Sequence, residues 1–290
     1  MGANKESLTI METAFMLGTK VSTIKKMAQD GRLNCTISQK GLTLFSLADI
    51  IKYIEDNDIE PDATPLFPLE TEAEINISYH IIKGDFPQLI NYSYLQALLF
   101  NRLRVFQVLH ALESMRRSIY EIYDSLVLPI LDRNIDFYEQ DKITHIESQM
   151  VRNVVYDSII RQQGQMVLDD DFVGSVYCAG VSDDMIDPLL KMMDHVLELK
   201  GFRVINCGTL LLHDNVEKVF KDFCCPKRLY ISLPHQLEGE KMCKTLQNLF
   251  KLASMFKAKA YLFGRNIDAC EIKLPDTVTK LYSFEDIANS

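Results

Sequence analysis

The sequence predicts a multi-domain chain, mainly α plus α/β: a helix-turn-helix head, a bundle of about four helices and a doubly wound parallel sheet. Three observations predict it. Residues 8–55 pair short amphipathic helices with turn signals, residues 72–163 keep a helical apolar period, and after Gly164 short apolar strands alternate with helices.

In the first segment two short helices flank the Leu17-Gly18 turn and Gly31 stops the second. A polar stretch, Ser38-Gln39-Lys40-Gly41, marks a hairpin, and a last helix is expected over 46–55. Pro61, Pro65 and Pro68 then interrupt acidic residues without apolar period, so 57–71 is predicted as a linker between a head, 1–56, and the bundle, 72–163.

In the bundle Ile119, Ile122, Tyr123, Leu126, Val127 and Ile130 hold one helical stripe, with breaks near Gly84 and Asp141. In the last segment, 164–290, strands are expected at 172–179, 202–207, 228–233, 259–263 and 278–282, and helices at 187–200, 215–223 and 239–256. Parallel sheets of this kind take ligands beyond the carboxyl ends of their strands, so the loops at 179–187, 208–214, 234–240 and 264–268 are candidate ligand loops.

The chain carries 31 Lys and Arg against 40 Asp and Glu, a net charge of −9 that repels a phosphate backbone overall. Residues 1–56 hold seven basic and six acidic side chains, so any nucleic-acid contact must be local to them. Seven cysteines without a Cys-x-x-Cys pair, no signal peptide and no long apolar run lead to the expectation of free thiols in a reducing cytoplasm, with no membrane contact. Neither a P-loop nor a Gly-x-Ser-x-Gly elbow is present, and no enzymatic activity is expected.

The segment Leu17-Gly18-Thr19-Lys20-Val21-Ser22-Thr23-Ile24-Lys25-Lys26-Met27 resembles the turn and recognition helix of MerR-type and excisionase-type winged helices. Phe45-Ser46-Leu47-Ala48-Asp49-Ile50 resembles the helix that follows their wing. The resemblance implies double-stranded DNA as partner, contacted by Lys20, Ser22, Thr23, Lys25, Lys26 and Arg32 and by Ser38, Gln39, Lys40 and Thr43 of the wing. Ser22 is expected to cap the helix, with Ile24 and Met27 facing the core. The wing departs from the family in carrying Thr43-Leu44 where adjacent arginines are usual, which weakens phosphate anchoring.

From Lys83-Gly84-Asp85 onward the chain resembles the helical-bundle-plus-Rossmann cobalamin-binding module of methionine synthase and corrinoid carriers. With the head, its order resembles that of cobalamin-dependent photoreceptor repressors. The family pattern places Tyr138 where a Trp covers the corrin and Ser148-Gln149 where a Glu-His pair stands. The loop that usually supplies a His to cobalt carries Ser182 and Asp183, and a carboxylate is a poor ligand for that centre. Ser232-Leu233-Pro234 replaces Ser-x-Leu beside the nucleotide tail, and Gly264-Arg265 replaces Gly-Gly, so Arg265 would project into the tail slot.

The two resemblances together imply a DNA-binding regulator of MerR type whose flavodoxin-like, Rossmann-type module no longer holds cobalamin. That module would serve signal reception, self-association or docking of another regulatory protein. Alternatives are a protein-binding anti-repressor without DNA contact, a corrinoid carrier, and a haem or metal sensor using His195, Cys207, His213 and Asp214. His145 and Glu147 stand two apart on a helix and point apart, the run Asp169-Asp170-Asp171 suits a solvated loop, and adjacent Cys224 and Cys225 give only a strained redox pair.

Overall fold

The computed structural model describes residues 6–57, 65–165, 171–181, 187–209, 227–233, 240–264, 267 and 274–290. The chain divides into two compact units, 1–96 with 107–117 and 97–106 with 118–290.

The first unit begins with β1 (Ser7–Thr9), α1 (Ile10–Met16), α2 (Val21–Gln29), β2 (Thr36–Ile37), β3 (Thr43–Ser46) and α3 (Leu47–Asp56). Thr9 starts α1 with a capping box: its hydroxyl accepts from the Glu12 N–H, and the Glu12 carboxylate accepts from the Thr9 N–H. Gly18, at φ +60, turns the chain into α2. There the expectation for Ser22 fails. Lys20 occupies the N-cap and offers no side-chain bond, and Ser22 is an exposed first-turn residue. The register is set by Ile24, which must reach the core. Ser46 caps α3 by accepting from the Asp49 N–H.

The three strands form an antiparallel sheet in the order β1-β3-β2. Leu8, Met16, Leu17, Ile24, Leu33, Phe45 and Ile50 close one core, with Met27 partly buried against it. Ile75, Tyr79 and Ile82 of α4 (Glu72–Lys83) belong to that same core. Each such side chain contributes about 1.5–3 kcal/mol when fully buried, so α4 adds stability to the fold of residues 6–57 itself. The Lys83 ammonium also pairs with the Glu12 carboxylate of α1 at 2.7 Å.

Next come α5 (Phe86–Leu98), α6 (Arg102–Ser114), α7 (Ile119–Ile122), a π-helical turn (Tyr123–Val127), α8 (Leu128–Glu139) and α9 (His145–Gln163). The expected breaks near Gly84 and Asp141 are present, but two more occur, at Phe100 (φ +57) and Arg116 (φ +61). The region 72–163 thus holds five helical stretches instead of about four. Both additional breaks use left-handed residues that are neither Gly nor Asn, which is why the turn chemistry is silent there.

The second sheet contains β4 (Gly174–Gly180), β5 (Phe202–Thr209), β6 (Arg228–Ser232), β7 (Lys259–Phe263) and β8 (Val278–Leu281), all parallel, in the order β5-β4-β6-β7-β8. Relative to chain order this is the flavodoxin-like 2-1-3-4-5 arrangement, with its switch point between β4 and β6. Tyr177, Ala179, Leu229, Ile231, Ala260 and Leu262 face the helix α11 (Glu240–Met255) through Leu246, Leu249, Phe250 and Ala253. Their neighbours Val176, Cys178, Tyr230 and Phe263 are buried as well. Burial on both faces explains why these strands read as unbroken apolar runs.

Helix α10 (Pro188–Leu199) packs against β4, β5 and α9, and a final helix α12 (Phe284–Asn289) packs on α10 and the π turn. The predicted helix 215–223 lies outside the described residues. Among the described residues no helix is long and apolar enough to cross a membrane.

Candidate functional site

Between Thr13 and Ala48 the chain holds five basic residues, Lys20, Lys25, Lys26, Arg32 and Lys40, and one acidic residue, Asp30. These 36 residues therefore carry +4 in a chain of net −9. In space they are α1 after its first turn, all of α2 and the β2–β3 hairpin. Lys20, Ser22, Lys25, Lys26, Arg32, Gln39 and Lys40 are exposed, while Thr23, Ser38 and Thr43 are half-buried. Ile24, in the middle of α2, anchors the helix and leaves Lys25 and Lys26 outward.

The hairpin is held by pairing of Thr36 with Leu44 and Ile37 with Thr43. At its tip the Ser38 N–H donates to the Leu42 carbonyl at 2.8 Å, the Leu42 N–H to the Ser38 hydroxyl at 3.1 Å, and the Gly41 N–H to the Ser38 carbonyl at 2.9 Å. Gly41 takes φ +75, which a β-carbon would strain.

At the carboxyl edge of the parallel sheet a hydrogen-bonded pair, buried Ser232 and half-buried Asp187, ties the end of β6 to the start of α10. The Ser232 hydroxyl, at the end of β6, donates to Asp187 Oδ2 at 2.7 Å. Asp187 Oδ1 accepts the N–H groups of Leu189 and Leu190 and so caps α10, where Pro188 fills the first helical position. Burial pushes the Asp187 carboxyl upward in pKa, opposed by the Ser232 bond, the Leu190 N–H and the charge of Arg152. Gly180, ending β4, leaves the room this pair needs: a β-carbon there would stand 2.9 Å from Asp187 Oδ2 and 3.2 Å from Ser232 Oγ.

Gly264 is tight for another reason. A β-carbon on it would meet the Leu233 β-carbon at 2.9 Å and the Leu233 carbonyl at 3.1 Å. Val181, Leu233 and Ile267 are all buried in the core of this sheet. Backbone bonds from the Val181 N–H to the Ser232 carbonyl and from the Leu233 N–H to the Phe263 carbonyl stitch the strand ends together. Ser182, Asp183 and Arg265 lie outside the described residues, as do His213, Asp214, Pro234, Cys224, Cys225, Asp169 and Asp170.

In the helices before the sheet, Tyr138 is 44% exposed and meets the His145 ring edge-on at 5.8 Å. Ser148 is buried, and its hydroxyl accepts from the Asn134 amide at 2.9 Å, whereas Gln149 is half-buried. The Asn134 carbonyl oxygen, also buried, has no partner. Glu147 closes the capping box of Thr144 at the start of α9.

His195 is buried, with Nδ1 at 2.5 Å from the Tyr123 hydroxyl. Burial, helped by the charge of Lys191, holds its pKa down to about 4, so the ring is neutral near pH 7. Cys178 and Cys207 are pushed up by burial, the first well above the usual thiol range and the second to about 11, so neither is a ready thiolate. No cluster of three metal-ligating side chains occurs among the described residues.

Sequence reasoning missed Asp187, Tyr123 and Asn134 as site-building residues. Asp187-Pro188 is a readable cap signature, but its partner Ser232 is 45 residues away. Tyr123 and Asn134 gave no local signal beyond their helical period.

No protein-family model matches the chain, and no curated protein matches it. Among solved structures it is similar to the monomethylamine corrinoid protein of Methanosarcina barkeri: 12% identity over 70% of this chain and 96% of that one, TM-score 0.53. It also matches the methanol:cobalamin methyltransferase complex of the same organism at 12% identity, over 70% of this chain and 77% of that one, but with a TM-score of only 0.33. The first likeness shows a shared fold, with its Rossmann-like parallel sheet, and nothing beyond the fold.

Proposed function

We propose that this protein is a DNA-binding transcriptional regulator, with residues 6–57 forming a MerR-type winged-helix head and the remainder a corrinoid-protein fold that has ceased to hold cobalamin. It acts without catalysing a reaction. The observation that carries the DNA contact is the concentration of +4 on α2 and its hairpin within a chain of net −9. Such a segment offers lysines to phosphates and the hydroxyls of Ser22 and Thr23 to base edges, where whole-chain charge gives no attraction.

Among the described residues at the sheet's carboxyl edge, Ser232 and Leu233 do not fit the nucleotide tail of a cobalamin. The serine that would line the tail, Ser232, is committed to Asp187, and Leu233 fills the ground beside Gly264. No histidine stands in the loop 182–186 to reach cobalt. The module's role is then signal reception, self-association or docking of a second regulator.

A corrinoid carrier is the second reading, favoured by the fold likeness alone. Incubation with hydroxocobalamin, adenosylcobalamin and methylcobalamin, followed by desalting and an absorption spectrum, separates the two: a retained corrinoid spectrum supports the carrier, a colourless protein the regulator. Enrichment of particular duplexes from a randomised pool by the full chain tests the DNA contact, and recovery of unselected sequence only would contradict it.

A further inference from the structure

We propose that the tip of the β2–β3 hairpin is an apolar wedge for the minor groove of duplex DNA, a specificity element distinct from the lysines of α2. This rests on the DNA-binding function proposed above.

Ile37 is 77% exposed, the most exposed large apolar side chain among the described residues, and Leu42, five residues on, is 54% exposed. Hairpin tips and edge strands are ordinarily protected by charge, because an apolar tip invites association. Here the tip keeps two branched apolar side chains in water and so presents apolar area for a partner to cover. Ile37 lies opposite Thr43, and the alternation carried one residue further puts Leu42 opposite Ser38. The two apolar side chains therefore project from opposite faces of the ribbon.

Charge selects the partner. From Gly31 to Ala48 there is no carboxylate, while Arg32 and Lys40 supply two cations. The hairpin has no carboxylate of its own, the neighbouring Asp49 carboxylate being engaged by the Asn34 amide at 3.1 Å, and by flanking apolar wedges with cations it complements a polyanion whose interior is apolar. The minor groove is about 6 Å wide at rest, and β-strand readers that enter it widen it as apolar side chains wedge between base steps. The turn is slender, since nothing lies within 4 Å of a β-carbon built on Gly41, and it is preorganised by the three bonds linking Ser38 to Gly41 and Leu42. An apolar side chain set between base pairs unstacks the step and bends the helix, at least cost at flexible pyrimidine–purine steps. Ile37 and Leu42 would thus select sites by deformability, while Lys40 and Arg32 hold the adjoining phosphates.

The test uses the full chain, the doubly substituted variant Ile37→Ala/Leu42→Ala, and the duplex that the wild-type chain enriches from a randomised pool, end-labelled for energy transfer. The expected result is a bent duplex with wild type and a straighter one with the variant. The variant should bind on the order of tenfold more weakly, with an unchanged salt slope and an unchanged urea midpoint. If the variant binds and bends the duplex as wild type does, the wedge is overturned and the DNA-binding function stands. If the variant changes sedimentation while duplex affinity holds, the tip is a contact between copies of this chain and the wedge is equally overturned. If wild type enriches and binds no duplex at low salt, the underlying function fails and the wedge with it.

Discussion

The hydroxyl of Tyr123 sits 2.5 Å from Nδ1 of His195, with both rings buried. Tyr123 opens the π-helical turn between α7 and α8, and its ring also meets Phe284 of α12 edge-on at 5.3 Å. Next to it, Asp124 accepts the N–H groups of Phe284 and Glu285 and so caps α12, its pKa raised by burial against the effect of those bonds. One turn of irregular helix thereby fixes both α10 and the C-terminal helix. π turns commonly persist where they aim particular side chains.

A pH dependence follows from His195. Its pKa is about 4 when folded and about 6.5 when unfolded, so between those values the unfolded chain binds the additional proton. The stability from keeping the ring neutral is complete above about pH 6.5 and is lost as pH falls toward 4, up to about 3 kcal/mol. Urea midpoints measured from pH 7 to pH 4 should fall for wild type. They should fall less over that interval for His195→Phe, which starts lower because the Tyr123–His195 bond is lost.

The Asp187–Ser232 pair should behave as a coupled lock. Asp187→Ala removes the cap of α10 and strands Ser232, for a loss of about 2–3 kcal/mol in chemical denaturation, and Ser232→Ala costs about 1–2. Because both remove one bond, the double variant should lose less than the sum of the singles. Additive losses would show that the two side chains do not share that bond in solution.

Gly84 ends α4 at φ +66, with the Arg117 guanidinium lying over the position a β-carbon would take. Gly84→Ala should therefore destabilise by about 1–2 kcal/mol, through left-handed backbone strain and displacement of Arg117. Ser22→Ala, by contrast, should leave the thermal midpoint unchanged within error, since Ser22 caps nothing, while still weakening duplex binding.

The parts of this fold that were legible in the sequence are those written by burial alone. Lys259–Phe263 is the same strand in both, and Gly174–Gly180 differs from 172–179 only at its ends, because strands buried on two faces are apolar without interruption. The breaks at Phe100 and Arg116 were not legible, since neither residue announces a left-handed turn. β1, three residues long, carries too little period to register, and α12 was missed although Ser283 and Asp286 form a readable capping box. The Asp187–Ser232 bond joins partners 45 residues apart, and the Tyr123–His195 bond partners 72 apart, which no local pattern encodes.

The local electrostatic contact proposed between α2 and duplex DNA is tested by the salt dependence of binding for wild type and for Lys25→Ala/Lys26→Ala. Fluorescence anisotropy of a labelled duplex across a potassium chloride series gives the slope of log affinity against log salt, about 0.9 per phosphate neutralised. Wild type should bind measurably and the variant should show a slope shallower by about 2, with the two urea midpoints alike. Equal slopes and affinities in the two proteins, or no binding by wild type at low salt, would contradict it.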